Sequence, residues 1–161
     1  MRNVITPCLW FVDNAAEAAE FYTSVFPDSK IVHQMLSQDD WPGGKAGDVL
    51  LVEFELQGQA YQALNGGPND PFNERVSLSV LCKDQTEVDR YWEELIADGG
   101  EPIMCGWLKD KYGVRWQIVP EAFFRMVKDT DLEKSRRVMQ AMTQLVKLDV
   151  AKLTQAYQGK Q

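Results

Sequence analysis

The sequence predicts an α+β fold in which one βαβββ unit is used twice and a helical tail follows. Three observations carry that assignment. Two helix-start signals, at Asn14 and Asp84, lie seventy positions apart; an aromatic pair, Phe21-Tyr22 or Tyr91-Trp92, falls seven and eight positions after each; and each helix is preceded by one strand-like run and followed by three.

The first strand is predicted over residues 4–11. Asn14 with Glu17 reads as a capping box, and Ala15, Ala18, Ala19, Tyr22, Val25 and Phe26 recur at the spacing of one helix face. Pro27 ends that helix. Residues 30–35 and 49–56 are β-rich, and Gln57-Gly58-Gln59 turns into a last strand over 60–65, closed by Gly66-Gly67-Pro68. Between them, 37–47 forms a long loop around Trp41-Pro42-Gly43-Gly44, suited to covering a cavity or touching a partner. The second half repeats the plan. A strand over 76–82 leads to a capping box at Asp84 and Glu87, and Val88, Tyr91, Trp92, Leu95 and Ile96 mark the helix face that Gly99-Gly100 closes. Residues 101–104, a short piece at Trp107-Leu108, and 114–119 fill the three following slots, with a turn at 109–113.

After Pro120 the pattern is helical. Thr130 with Glu133 reads as a third capping box, Val138, Met139 and Met142 share a face, and Asp149 starts a helix carrying Val150, Leu153 and Tyr157. A tail this apolar does not stand free; it packs either on the sheet or across a dimer interface. The expected organisation is one domain over 1–161, with halves at about 1–68 and 72–120 and a helical tail over 121–161.

With 161 residues, 45% of them hydrophobic, the chain can bury a sizeable core. A net charge of −7 disfavours nucleic acid and anionic membrane surfaces, which are held mainly by Lys and Arg. Cys8, Cys82 and Cys105 form neither a disulfide framework nor a zinc pattern, and no run reaches membrane-spanning length. The expectation is a cytoplasmic protein with no nucleic-acid or membrane partner and no signal peptide.

ITPCLWF, NAAEAAEFYTSVFPDSKI, ALNGGP, CKDQTEVDRYWEEL, CGWLKDKYGVRWQIVP and the RVMQAM…KLDVAKL tail together resemble the PhnB-like family, often labelled with a demethylubiquinone methyltransferase name. That family sits in the vicinal-oxygen-chelate superfamily with glyoxalase I, bleomycin-resistance proteins and extradiol dioxygenases. The resemblance implies a curved mixed sheet with a concave cavity, helices on its convex side, and a homodimer. Methyl transfer is not expected, because a methyl-donor cofactor of the common type needs a glycine-rich loop between strand and helix, and the glycine pairs 43-44, 66-67 and 99-100 lie in other contexts.

Strand alternation assigns the faces. Leu9 and Phe11 cover the core, leaving Thr6, Cys8 and Trp10 on the cavity side; Val76, Leu78 and Val80 meet a helix, leaving Arg75, Ser77 and Ser79 opposite; Arg115 and Gln117 also face the cavity. The resemblance implies a divalent metal held by four strands, at positions matching Thr6, Gln62 (or Ala63), Arg75 and Gln117. None is a His or a carboxylate, so no metal and no other cofactor is expected. Arg75 then supplies a fixed positive charge for a carboxylate, phosphonate or enolate oxygen, or else it pairs with Glu74, Asp84 or another glutamate. Trp10, Trp41 and Trp107 are candidate walls for a flat ligand, Cys8 is an inward thiol without a histidine base, His33 lies away from these positions, and Glu53 with Glu55 reads as a solvated face. The candidate ligand-binding set is Thr6, Cys8, Trp10, Gln62, Arg75, Ser77, Trp107 and Gln117. The function expected is binding of a small organic, anionic ligand, with a metal-independent enzyme on a small organic acid and a dimeric scaffold as the alternatives.

Overall fold

A computed structural model describes residues 5–160. Val4, placed at the start of the first predicted strand, lies outside the described residues. The chain divides into two compact units, residues 1–70 and 71–161. The first holds β1 (Cys8–Phe11), α1 (Ala15–Val25), β2 (Lys30–Leu36), β3 (Val49–Leu56) and β4 (Gln59–Asn65). Its sheet runs β1-β4-β3-β2, with β1 parallel to β4 and the other neighbours antiparallel. The second holds β5 (Leu78–Cys82), α2 (Gln85–Ile96), β6 (Glu101–Pro102), β7 (Trp107–Lys109) and β8 (Arg115–Pro120), in the matching order β5-β8-β7-β6. Its first pair is again parallel and the rest antiparallel, so the predicted βαβββ repeat is present.

In the first unit Val52, Phe54 and Leu56 alternate onto the buried face of β3 and meet α1, whose Ala15, Ala18, Ala19, Tyr22 and Val25 are buried. The three alanines let the helix approach closely, and the rings of Tyr22, Phe54 and Tyr61 stack in sequence, with centroids 6.3 and 5.4 Å apart. Full burial of each large side chain contributes about 1.5–3 kcal/mol. In the second unit Val88, Tyr91, Trp92 and Leu95 of α2 do the same work for its sheet, where Leu108, Trp116 and Ile118 are buried.

The helix starts differ from one another. Asp84 caps α2 as predicted, accepting from Glu87 N at 3.0 Å, while the Glu87 carboxylate accepts from Lys83 N at 2.8 Å. Asn14 makes no such bond. The first amide of α1, Ala15 N, instead donates to Asn65 Oδ1 at 2.8 Å, and Asn65 Nδ2 donates to Val49 O at 2.9 Å. A buried side chain at the end of β4 thus caps a helix fifty residues earlier. The third predicted cap is displaced by one residue: Asp131, not Thr130, accepts from Glu133 N and Lys134 N to open α4 (Leu132–Met142), its carboxylate being the stronger acceptor beside the hydroxyl.

Three strands are shorter than predicted. β1 begins at Cys8, so Thr6, expected on the strand, precedes it. β6 stops at Pro102, which has no amide to extend the ladder, and the chain turns through Cys105 (φ 65) and Gly106 (φ 81). β5 begins at Leu78, because Asn73 Oδ1 accepts from Arg75 N at 3.0 Å and holds residues 74–75 in a turn. Val76, expected against a helix, is 74% exposed.

The tail packs on its own unit. Phe123 and Met126 of α3 (Glu121–Val127), Val138 of α4, Leu148, and Leu153 of α5 (Val150–Gln158) form a buried cluster with Val119 of β8. Arg137 donates to Ala156 O and Tyr157 O, closing the end of α5, and the Tyr157 hydroxyl donates to Asp129.

Candidate functional site

Each sheet has one face under its helix and one free of it, and the predicted site residues divide between the two units. On the first, the register places His33, Glu53, Gln62 and Cys8 in one row across β2, β3, β4 and β1. Ala63, the alternative to Gln62, is fully buried, while Gln62 stands half-buried on the other face of β4. Gln62 Nε2 reaches Glu53 Oε1 at 3.4 Å, and Lys30 pairs with Glu55 at 3.3 Å. A recess of about 180 Å³ is lined by Thr6, Val32, Glu53, Glu55, Tyr61 and Gln62.

His33 and Cys8 occupy opposite ends of that row, three strand spacings or about 14 Å apart, so the imidazole is no base for the thiol. Partial burial also pushes the Cys8 thiol up from its ordinary value, which keeps it protonated near neutrality. Burial, then the Glu87 charge, pushes Cys82 up to about 12. Neither thiol is an activated nucleophile.

Trp10 has a structural task. Its Nε1 donates to Gly67 O at 2.9 Å, and its ring lies where a Cβ on Gly66 would fall 2.1 Å from it. Trp41 Nε1 donates to Asn65 O at 2.6 Å, and the backbone of Gly67 meets Pro42. The Asn65-Gly66-Gly67 motif is therefore the seat of two tryptophans, and it pins the predicted covering loop to its own unit. Trp10 nonetheless keeps 43% of its surface exposed.

On the second unit Gln117 of β8 stands opposite Ser79 of β5 and Trp107 of β7, and its Nε2 donates to Ser77 Oγ at 2.8 Å. Arg75 is not on the strand but in the turn before it, exposed. The glutamate expected to hold it is taken: Glu74 accepts from Arg115 Nε and Nη2, both at 2.8 Å, and those bonds hold its carboxyl below the usual range. Among the described residues no carboxylate pairs with Arg75.

Sequence reasoning missed Asp110, the organiser of the turn beside β7. Fully buried, it accepts from Tyr112 N and Val114 N at Oδ1 (2.9 and 3.0 Å) and from Trp116 Nε1 at Oδ2 (2.8 Å). An aspartate two residues before a turn amide is a readable signal for this arrangement. A hollow of about 610 Å³ in this unit lies where residues 147–150 meet α2; its Lys147 is paired with Asp89 at 2.6 Å and its Asp149 caps α5, while Lys152 also lines it.

A divalent metal does not fit the four matched positions, which offer a hydroxyl, two amides and a guanidinium. Among the described residues no three His, Cys, Asp or Glu side chains gather to hold an ion.

The sequence model described as 3-demethylubiquinone-9 3-methyltransferase matches residues 3–119. The chain is similar to a solved structure of the PhnB protein from Bacillus cereus, with 35% identity and a TM-score of 0.64 over 73% of this chain and 99% of that one. It is also similar in fold to protein PA1353 from Pseudomonas aeruginosa, with 21% identity and a TM-score of 0.61 over 74% of this chain and 98% of that one. No curated protein matches. The helical tail lies beyond the matched residues. A methyl-donor cofactor does not fit the strand-to-helix connections here: Val12-Asp13-Asn14 and Lys83-Asp84 contain no glycine, and the helix starts they lead to are capped by Asn65 and Asp84.

Proposed function

The chain belongs to the PhnB-like family described as 3-demethylubiquinone-9 3-methyltransferase, and from that premise we propose that it binds a small organic anion on the face of its second sheet opposite α2, without metal or methyl donor. The observation that carries this reading is the unequal fate of two neighbouring arginines. Arg115 is held by Glu74, whereas among the described residues no carboxylate pairs with Arg75, two residues before Ser77. An unpaired guanidinium offers a carboxylate or phosphonate two parallel donors, worth about 1.5–3 kcal/mol as charge-assisted bonds. Gln117 and Ser77 supply neutral polar groups to orient an oxygen, and Trp107 supplies a ring for an apolar or flat portion.

Binding is favoured over turnover. The two thiols Cys8 and Cys82 are held protonated, and His33 stands at the edge of the other sheet with Glu53 as its row neighbour. The scaffold alternative loses its main support, since the Trp41 loop is tied to Asn65 and Gly67.

A thermal-shift panel of small carboxylates, phosphonates and matched neutral amides tests the reading on wild type, Arg75→Ala and Gln117→Ala. Anions are expected to raise the wild-type Tm and to lose most of that effect in Arg75→Ala, while neutral amides do little. Equal shifts in wild type and Arg75→Ala overturn the proposal.

A further inference from the structure

The matched glutamines of the two sheets are both held by their amide nitrogen. In the first unit Gln62 Nε2 reaches Glu53 Oε1 on β3 at 3.4 Å, and a carboxylate, having no proton to give, fixes which end of the amide turns to it. In the second unit Trp107 stands where Glu53 does, and an indole only donates, so the same amide finds no acceptor on that side. Gln117 turns toward the β5 side instead, where its Nε2 donates to Ser77 Oγ at 2.8 Å.

Two groups are left unspent. Among the described residues no donor reaches Gln117 Oε1, and the Ser77 hydroxyl, having accepted from the amide, keeps its own proton to give. Gln117, Ser77 and Trp107 are all half-buried. A ligand seated on them therefore strips water from that carbonyl oxygen, and a ligand with nothing to donate leaves it without a partner. In the next row of the same face Arg115 stands opposite Lys109. Arg115 is engaged by Glu74 and by Gly113 O, and Lys109 by Glu101 at 2.8 Å, which leaves the ligand's anionic group to Arg75.

Resting on the anion-binding reading of this face, we infer that the ligand is a small hydroxy acid. Its anionic group goes to Arg75, its O–H donates to Gln117 Oε1, and Ser77 is the positioning residue that keeps the amide turned that way. A neutral hydroxyl suits this donor role better than an ammonium, because Arg75 and Arg115, each two residues along the chain from Ser77 and Gln117, repel a second cation. A keto acid offers acceptors only, and its carbonyl would meet the Gln117 oxygen lone pair to lone pair.

NMR-monitored titration with propionate, lactate, 3-hydroxypropionate and pyruvate tests this on the full chain as wild type, Arg75→Ala, Gln117→Leu and Ser77→Ala. In wild type the tighter of the two hydroxy acids is expected to bind about three- to tenfold better than propionate, and pyruvate no better than propionate. Gln117→Leu is expected to erase that preference while propionate binds as before. Ser77→Ala frees the amide to turn its N–H₂ toward the ligand, so the preference should narrow and pyruvate should improve. Equal binding of all these acids, tighter binding of pyruvate than of either hydroxy acid, or a preference that outlives Gln117→Leu overturns the inference while the anion reading stands. Failure of every acid to bind, or binding indifferent to Arg75→Ala, overturns both.

Discussion

The two units share strand order and register, yet at matched positions they solve the same physical problem with different residues. Gln62 and Gln117 occupy equivalent places, but Glu53 beside the first corresponds to Trp107 beside the second. Asn65 ends β4 and caps α1; its counterpart at the end of β8 is Pro120, which caps nothing in α2 and instead opens α3. Proline is permitted there because Asp84 already caps α2 from within its own segment. The comparison shows what a repeat conserves physically: the amides that open each helix need an acceptor, while the acceptor's position in the chain is free to change.

The sharpest way to separate the units is to remove the buried polar group each depends on. Asp110→Ala removes the carboxylate that accepts from two backbone amides and an indole N–H inside the second unit, and is expected to cost about 3–5 kcal/mol. Denaturant unfolding measures it; a loss below about 1 kcal/mol would show that the turn does not depend on the carboxylate. Asp110→Asn is expected to fall between, because its amide must point one donor at either Trp116 Nε1 or the turn amides.

Asn65→Ala is the matching change in the first unit, with an expected loss of about 1–2 kcal/mol. The smaller figure follows from chemistry: a neutral amide is removed rather than a carboxylate. The discriminating measurement is amide exchange at Ala15, which should quicken in Asn65→Ala and remain as in wild type in Asn14→Ala. The reverse order would restore the local cap that the sequence alone predicts.

These residues also mark how far the sequence is legible. Helix faces at Ala15–Val25 and Gln85–Ile96 follow from 3.6-residue periodicity, and alternation places Leu9, Phe11 and Gln117 on the faces they take. Those are local signals, and burial decides them. The Asn14-x-x-Glu17 pattern is equally local, but a fifty-residue contact from Asn65 displaces it, which no window of sequence reveals. Arg75 is a different case. Asn73 two residues before it is a turn signal that outweighs the apolar alternation from Val76, and the residue on the open side beside Gln117 is Ser77. Pro102 likewise announces the short β6. The bonds from Cys105 N and Gly106 N to Leu145 O and Val146 O have no sequence signal, because backbone acceptors carry no side-chain preference.

The finest difference between the units is an ion pair with its signs exchanged. Lys30 on β2 pairs with Glu55 on β3; at the matched places Glu101 on β6 pairs with Lys109 on β7. Lys30→Glu alone sets two carboxylates side by side and is expected to cost at most about 1 kcal/mol, falling with added salt. Combining it with Glu55→Lys rebuilds the second unit's arrangement in the first, and should return stability to within about 0.5 kcal/mol of wild type. In the second unit the hydrogen bond from Lys109, then its charge, holds the Glu101 carboxyl below the usual range. A carboxylate depressed in this way stabilises the fold above its unfolded pKa, and the contribution disappears as pH falls through the folded value. Lys109→Met should therefore raise the Glu101 titration midpoint toward that of an ordinary glutamate in NMR-detected titration, with β8 otherwise unperturbed. An unmoved midpoint would mean that something other than Lys109 sets the charge of Glu101, and the sign-exchanged pairs would then be a coincidence of placement rather than two versions of one contact.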